Sequence, residues 1–131
     1  MVSDPIGDYI IRLKNAGRVG HAKVISPYSK LRHAIAETLQ QAGYLTAVAV
    51  SGEGVGRKLI STLAYGADGS PAINGVKRLS KPGRRLYRKV EEIHPVKFGK
   101  GDMIMSTPAG ILTGSQARSQ HVGGEQLFII W

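Results

Sequence analysis

Ser106–Trp131 reads STPAGILTGSQARSQHVGGEQLFIIW, and the elements that fit this quarter set the architecture expected for the rest. Asp102 to Thr107 is a predicted strand, with Met103 and Met105 on one face and Ile104 between them. Ser106-Thr107-Pro108-Ala109-Gly110 follows as a turn carrying two hydroxyls, and Gly110 to Leu112 is a second short strand. Thr113 opens a capping box, with Gln116 three residues later. The helix it starts cannot pass Gly123-Gly124. From Gln126 to Trp131 the chain alternates Leu127, Ile129 and Trp131 against Phe128 and Ile130, so both faces of this terminal strand are expected to be buried. One carboxylate, Glu125, stands directly before it.

Upstream lies the most cationic segment. Lys77, Arg78, Lys81, Arg84, Arg85, Arg88 and Lys89 place seven cations in thirteen residues with no acid among them. Leu79, Leu86 and Tyr87 are interleaved. A run of charge is often only a solvated face. Here its density and its aromatic residue favour phosphate contact. A strand around Ile73 to Ser80, a turn at Lys81-Pro82-Gly83 and a strand through Leu86 and Tyr87 carry it. Glu91 to Gly101 is expected to be a loop with a short helical turn.

The first half alternates element types. Asp4 can cap and Pro5 suits the first position of a helix whose apolar face is Ile6, Tyr9, Ile10 and Leu13, with Gly17 as its stop. A strand at Ala22 to Ile25 follows. Ser29 then caps a helix bearing Leu31, Ile35 and Leu39 and ending at Gly43. Tyr44–Val50 and Arg57–Tyr65 are strands joined by a glycine turn. Gly66-Ala67-Asp68-Gly69-Ser70-Pro71 is the best boundary. The expected fold is therefore α+β in two small halves: α-β-α-β-β over residues 1–66, and a mainly β half with one short helix over 67–131.

Composition bounds the chemistry. Eighteen Lys and Arg against nine acids give a formal charge of +9, and the isoelectric point near 10.1 favours polyanionic partners. With no cysteine, disulfides and thiolate metal sites are excluded. The opening residues lack signal-peptide character and no apolar run reaches membrane-spanning length, so a soluble cytoplasmic setting, or an organelle of the same chemistry, is expected. His21, His33, His94 and His121 are scattered without metal-ligand spacing. The glycine turn at 52–56 has G-x-G-x-G spacing and leads into a strand, so it lacks the helix N-terminus a dinucleotide site needs. Ser106, His121 and Asp102 compose a triad only on paper, since no nucleophile elbow surrounds any serine. An enzyme, and with it any cofactor, is not expected.

What remains is a binding surface. Hydroxyls at Ser106 and Thr107 both donate and accept, which suits the 2′-OH groups and base edges of RNA's shallow minor groove. Gly110 permits close backbone approach, and Gly123-Gly124 lets main-chain N–H groups face phosphate. Glu125 suits either an exocyclic base amine or the amides of the 106–110 turn. A plain strand–turn–strand with a capped helix fits the same composition.

In these residues the chain resembles the bacterial-type small-subunit ribosomal protein eight family, whose signature runs S-T-S-x-G, a Thr-led helix, then G-G-E and an apolar terminal strand. Ser106, Thr107, Gly110, Thr113, Ala117-Arg118, Val122-Gly123-Gly124-Glu125 and Trp131 match. Asp4-Pro5-Ile6, Asp8, Arg12, Asn15-Ala16, Ser29-Lys30-Leu31, Gly43-Tyr44 and the segment Arg78, Ser80, Lys81-Pro82-Gly83, Arg85 and Tyr87 extend the likeness to nearly full length. The resemblance implies a non-catalytic protein that binds the central domain of 16S-type rRNA at an irregular hairpin, organises its assembly and works within the small subunit. It further implies contact with small-subunit proteins five and twelve and, in some bacteria, repression of its own operon through a messenger hairpin. By the same resemblance Ser106, Thr107, Pro108, Gly110, Gly124 and Glu125 are RNA-binding positions. Tyr87, Arg85, Arg84 and Lys81 add stacking and phosphate contact, with Lys30 from the other half. Pro108 departs from the family's usual Ser, and Ala109 stands where a basic residue is common; Pro108 removes a backbone donor and a hydroxyl but stiffens the turn. The alternative is a free-standing basic RNA- or DNA-binding regulator.

Overall fold

A computed structural model describes residues 4–89, 91, 93 and 101–131. The chain divides into two compact units, Pro5–Asn74 and a second made of Gly75–Trp131 with Asp4. As expected, the fold is α+β, with helices and strands in the first unit and a sheet with one short helix in the second.

In the first unit, α1 (Pro5–Arg18) and α2 (Lys30–Gln41) cover one face of a sheet ordered β1 (Lys23–Pro27), β3 (Lys58–Leu63), β2 (Leu45–Ser51). All pairings are antiparallel. The predicted apolar face of α1 is buried: Ile6, Tyr9, Ile10 and Leu13 are each at most 7% exposed. Full burial of such side chains stabilises by roughly 1.5–3 kcal/mol apiece. Ser29 caps α2 by accepting the Arg32 N–H at 3.0 Å, and Gly43 leaves the helix with φ +93. Gly17 is not the stop of α1. The helix continues to Arg18, and Gly17 is buried with its Cα against Pro71, where an added Cβ would lie 3.3 Å from the proline's. Gly20, at φ +82, makes the turn instead. The glycine turn closes a hairpin through a short 3-10 turn at Gly54–Gly56. The Gly66–Pro71 segment folds back on the same unit, with Tyr65 bridged to Pro71 and Gly66 N donating to Ser70 O at 2.8 Å.

The second unit is a five-stranded sheet. Its path is β4 (Val76–Arg78), β8 (Gly124–Ile130), β6 (Asp102–Thr107), β7 (Gly110–Thr113), with β5 (Tyr87–Arg88) also on β8. Strands β4 and β5 flank different parts of one edge of β8, while β6 takes the other edge. The two basic strands are therefore not a hairpin pair. The chain leaves the edge after Ser80, turns tightly where Lys81 and Arg84 exchange backbone hydrogen bonds, and returns at Leu86. Buried Ser80 closes the neck: its Oγ accepts the Leu86 N–H at 2.8 Å and donates to the Leu86 carbonyl at 3.2 Å. The capping box at Thr113 forms in full around α3 (Gly114–Ser119). As expected for the terminal strand, Leu127, Phe128 and Ile130 are buried from both faces. Trp131 packs so closely on Gly75 that a Cβ there would meet its ring at 2.5 Å. The expected loop over 91–101 lies almost wholly outside the described residues.

Two buried serines in the first unit give a test. Tyr9 Oη and Ser61 Oγ lie 2.5 Å apart in the core, whereas Ser26 Oγ is buried without a partner among the described residues. Burial pushes the Tyr9 phenol up to about 12 from 10.0, against the lowering effects of the Ser61 hydrogen bond and the Arg32 charge. A raised phenol pKa means the unfolded chain releases this proton first, so the stability it contributes is complete below pH 10 and lost towards pH 12. Tyr9→Phe is expected to flatten that decline in urea melts. It should also cost about 1–2 kcal/mol at pH 7, because the Ser61 hydroxyl is left buried and unpaired. Ser26→Ala, which removes an already unpaired hydroxyl, should be neutral or mildly stabilising.

Candidate nucleic-acid interface

Sheet register sets this site. Glu125 on β8 lies directly opposite Tyr87 on β5 and, across its other edge, opposite Ser106 on β6. Directly opposed residues share a face, so Tyr87, Glu125 and Ser106 form one row across three strands. In the neighbouring row Gly124 faces Arg88, and Thr107 pairs with Gly110 at the end of the β6–β7 hairpin. The double glycine has a packing reason. A Cβ at Gly124 would collide with the Ser106 carbonyl oxygen, and one at Gly123 would meet the Arg88 carbonyl at 2.5 Å. Only glycine lets β8 pass between these strands.

The lone carboxylate has a partner. Arg85 Nη1 donates to both Glu125 oxygens, at 3.3 and 3.2 Å. Glu125's side chain is 12% exposed, while that of Arg85 is 57% exposed. Among the described residues Glu125, expected either to brace the 106–110 turn or to accept from a base amine, makes no hydrogen bond to that turn's amides. The turn is held by Thr107, whose Oγ1 donates to the Gly110 carbonyl at 2.8 Å and accepts the Ala109 N–H at 3.1 Å. Gly110 takes φ +113, a conformation that favours glycine. Pro108 and Ala109 form the exposed tip. Thr107's hydroxyl is thus mostly consumed locally. Ser106's has no hydrogen-bond partner among the described residues.

Around this row the surface is cationic. Tyr87 is 68% exposed with its ring open to solvent. Lys81 and Arg84 stand exposed on the loop whose neck Ser80 closes, and among the described residues neither meets an acid. Arg78 is occupied otherwise: its guanidinium grips Asp4 through Nε at 3.1 Å and Nη2 at 3.2 Å, and Nη1 donates to the Leu127 carbonyl. Asp4, in the position directly before α1, is also the ion-pair partner of Arg78 on β4. Lys30 is exposed at the first position of α2, in the other unit. The residues brought together are Arg85, Tyr87, Ser106 and Glu125, with Thr107, Gly110 and Gly124 beside them.

This arrangement offers a ring for stacking, a hydroxyl, a carboxylate acceptor and a guanidinium that still has donors to give. The Arg85 end of the pair is 57% exposed, so its remaining donors are open to a phosphate or base. Among the described residues no group of three or more His, Asp and Glu is placed to hold a metal ion, and no helix is long and apolar enough to cross a membrane. Sequence reading missed the pairings of Arg85 with Glu125 and Arg78 with Asp4. The one available signal was that Glu125 is an acid set beside a polycationic partner sequence.

A family model described as ribosomal protein S8 matches residues 4–131. Proteins named small ribosomal subunit protein uS8 are similar over 99% of this chain and 98% of their own length. That of Rubrobacter xylanophilus is 44% identical, that of Kineococcus radiotolerans 45% and that of a Parafrankia strain 46%.

Gly124→Ala is expected to lower the unfolding free energy by about 2–4 kcal/mol, as overpacking against a backbone does. The loss should appear as reduced amide-exchange protection along β6 and β8. Gly83→Ala, at an open position, is the matched control and should leave protection unchanged.

Proposed function

The chain belongs to the ribosomal protein S8 family, whose members are structural, non-enzymatic constituents of the small ribosomal subunit, and we propose that it binds the central domain of small-subunit rRNA directly, at an irregular hairpin. The observation that carries this reading is the row Tyr87–Glu125–Ser106 with Arg85 at its edge. Tyr87 stacks on an unpaired base, Ser106 meets a 2′-OH or base edge, and Glu125 accepts from a base amine. Arg85, Arg84 and Lys81 contact phosphates, and Lys30 contributes from the first unit. Thr107, Pro108 and Gly110 set the shape of the hairpin tip that approaches the groove, while Gly124 brings the strands close enough for the row to form. Proteins five and twelve of the small subunit are the proposed protein neighbours. A messenger hairpin of similar shape would occupy the same surface, which is how repression of its own operon would work.

Glu125 has a double effect on this reading: it holds Arg85 and it accepts from RNA. Glu125→Ala should weaken binding to the central-domain hairpin by about ten-fold although it removes a negative charge near polyanion. Tighter binding would identify Glu125 as a mere source of repulsion. Arg85→Ala should cost less in the Glu125→Ala background than in the wild type, since the two groups act as a pair. Filter-binding across a salt series gives a second reading. Removing Arg84 and Arg85 together should reduce the slope of log K on log salt by about 1.4–1.8, and an unchanged slope would take the loop out of the interface. Co-sedimentation with small subunits in high-salt sucrose gradients separates the ribosomal reading from that of a free-standing regulator, which would remain at the top.

A further inference from the structure

The sheet of the first unit has a second face. Val24, Ser26, Leu59 and Ser61 point to the covering helices and are buried. Alternate residues therefore point the other way, and the register aligns Ile25, Ile60 and Ala49 in one row across the three strands. Ala47 and Thr62 continue this face in the next row. An antiparallel sheet with one wet face normally carries polar residues there. Here the middle row is aliphatic, with Ile25 59% exposed and both alanines exposed. None of the three strands contains an acid, and their only charges are Lys23 and Lys58, both exposed on this face.

We propose that this open face docks an acidic protein segment within the small subunit, its aliphatic side chains on the Ile25–Ile60–Ala49 row and its carboxylates on Lys23 and Lys58. RNA is a poor match: it would need aromatic stacking partners or a dense cationic stripe, and this face has no aromatic residue and two cations. A second copy is also a poor match, because an isologous contact sets the same acid-free, lysine-bearing face against itself. An aliphatic patch flanked by cations that meet no acid among the described residues fits a partner that supplies both apolar contact and negative charge.

The test places a photoreactive benzoylphenylalanine at position 25 of the full chain, assembles it with small-subunit rRNA and the other small-subunit proteins, and irradiates subunits isolated by sedimentation. Cross-linking to a protein peptide containing Asp or Glu is expected. Cross-links to rRNA or to a second copy of the chain, or none in assembled subunits, would overturn the proposal. In parallel, the Lys23→Glu/Lys58→Glu double variant should bind the isolated rRNA hairpin within about two-fold of wild type yet enter subunits at least about five-fold less well in competition with it. Equal entry, or a matching loss of hairpin affinity, would contradict docking of a protein here. Failure of the unmodified chain to sediment with subunits would count instead against the ribosomal reading.

Discussion

The crowding at Gly124 is the constraint on which the second unit depends. Strand β8 is paired on both edges, and at its start it lies so close to β6 that a side chain at 124 would collide with the Ser106 carbonyl. That closeness puts Glu125 between Tyr87 and Ser106. It also brings the carboxylate within reach of Arg85, which returns from the loop closed by Ser80. Glycine serves here by absence of bulk; neither Gly123 nor Gly124 takes a left-handed conformation.

A carboxylate inside the surface proposed for RNA makes sense through its partner. A bare acid would repel phosphate, and a bare Arg85 on a mobile stem would lose rotamer entropy on binding RNA. Paired, Glu125 orients the guanidinium beforehand, while the rest of the fork faces outward. Glu125 is 12% exposed and Arg85 57%, so the guanidinium is the end of the pair left open to a partner. The second unit thus combines a closely packed frame, built from Phe128, Ile104, Ile130 and the Trp131–Gly75 contact, with the Arg85–Glu125 ion pair whose guanidinium is exposed.

Much of this was legible in the sequence because it is local. The α1 stripe, the Ser29 cap and the Thr113–Gln116 capping box each involve residues within one or two turns, and all form. What escaped was set by distant neighbours. Gly17 looked like a stop, but Pro71 packs there and the helix runs on. The two basic strands were legible as strands with a turn between them, but not their partner: distant β8 pairs with both and lays them end to end on one edge. Asp4 stands directly before α1, and its ion pair with Arg78, 74 residues away, had no local signal. The candidate site's residue types were readable from the motif, but their alignment in one row came only from sheet register.

The most direct test of that row uses the absence of any native cysteine. An iron chelate tethered at Ala109→Cys, on the exposed hairpin tip, generates hydroxyl radicals that cut RNA nearby. With full small-subunit rRNA bound, strong cleavage is predicted on the two strands of one irregular hairpin in the central domain, fading when Glu125→Ala is added. Cleavage spread evenly over the RNA, or absent while the protein remains bound, would contradict the placement of the RNA-binding surface at Tyr87, Glu125 and Ser106.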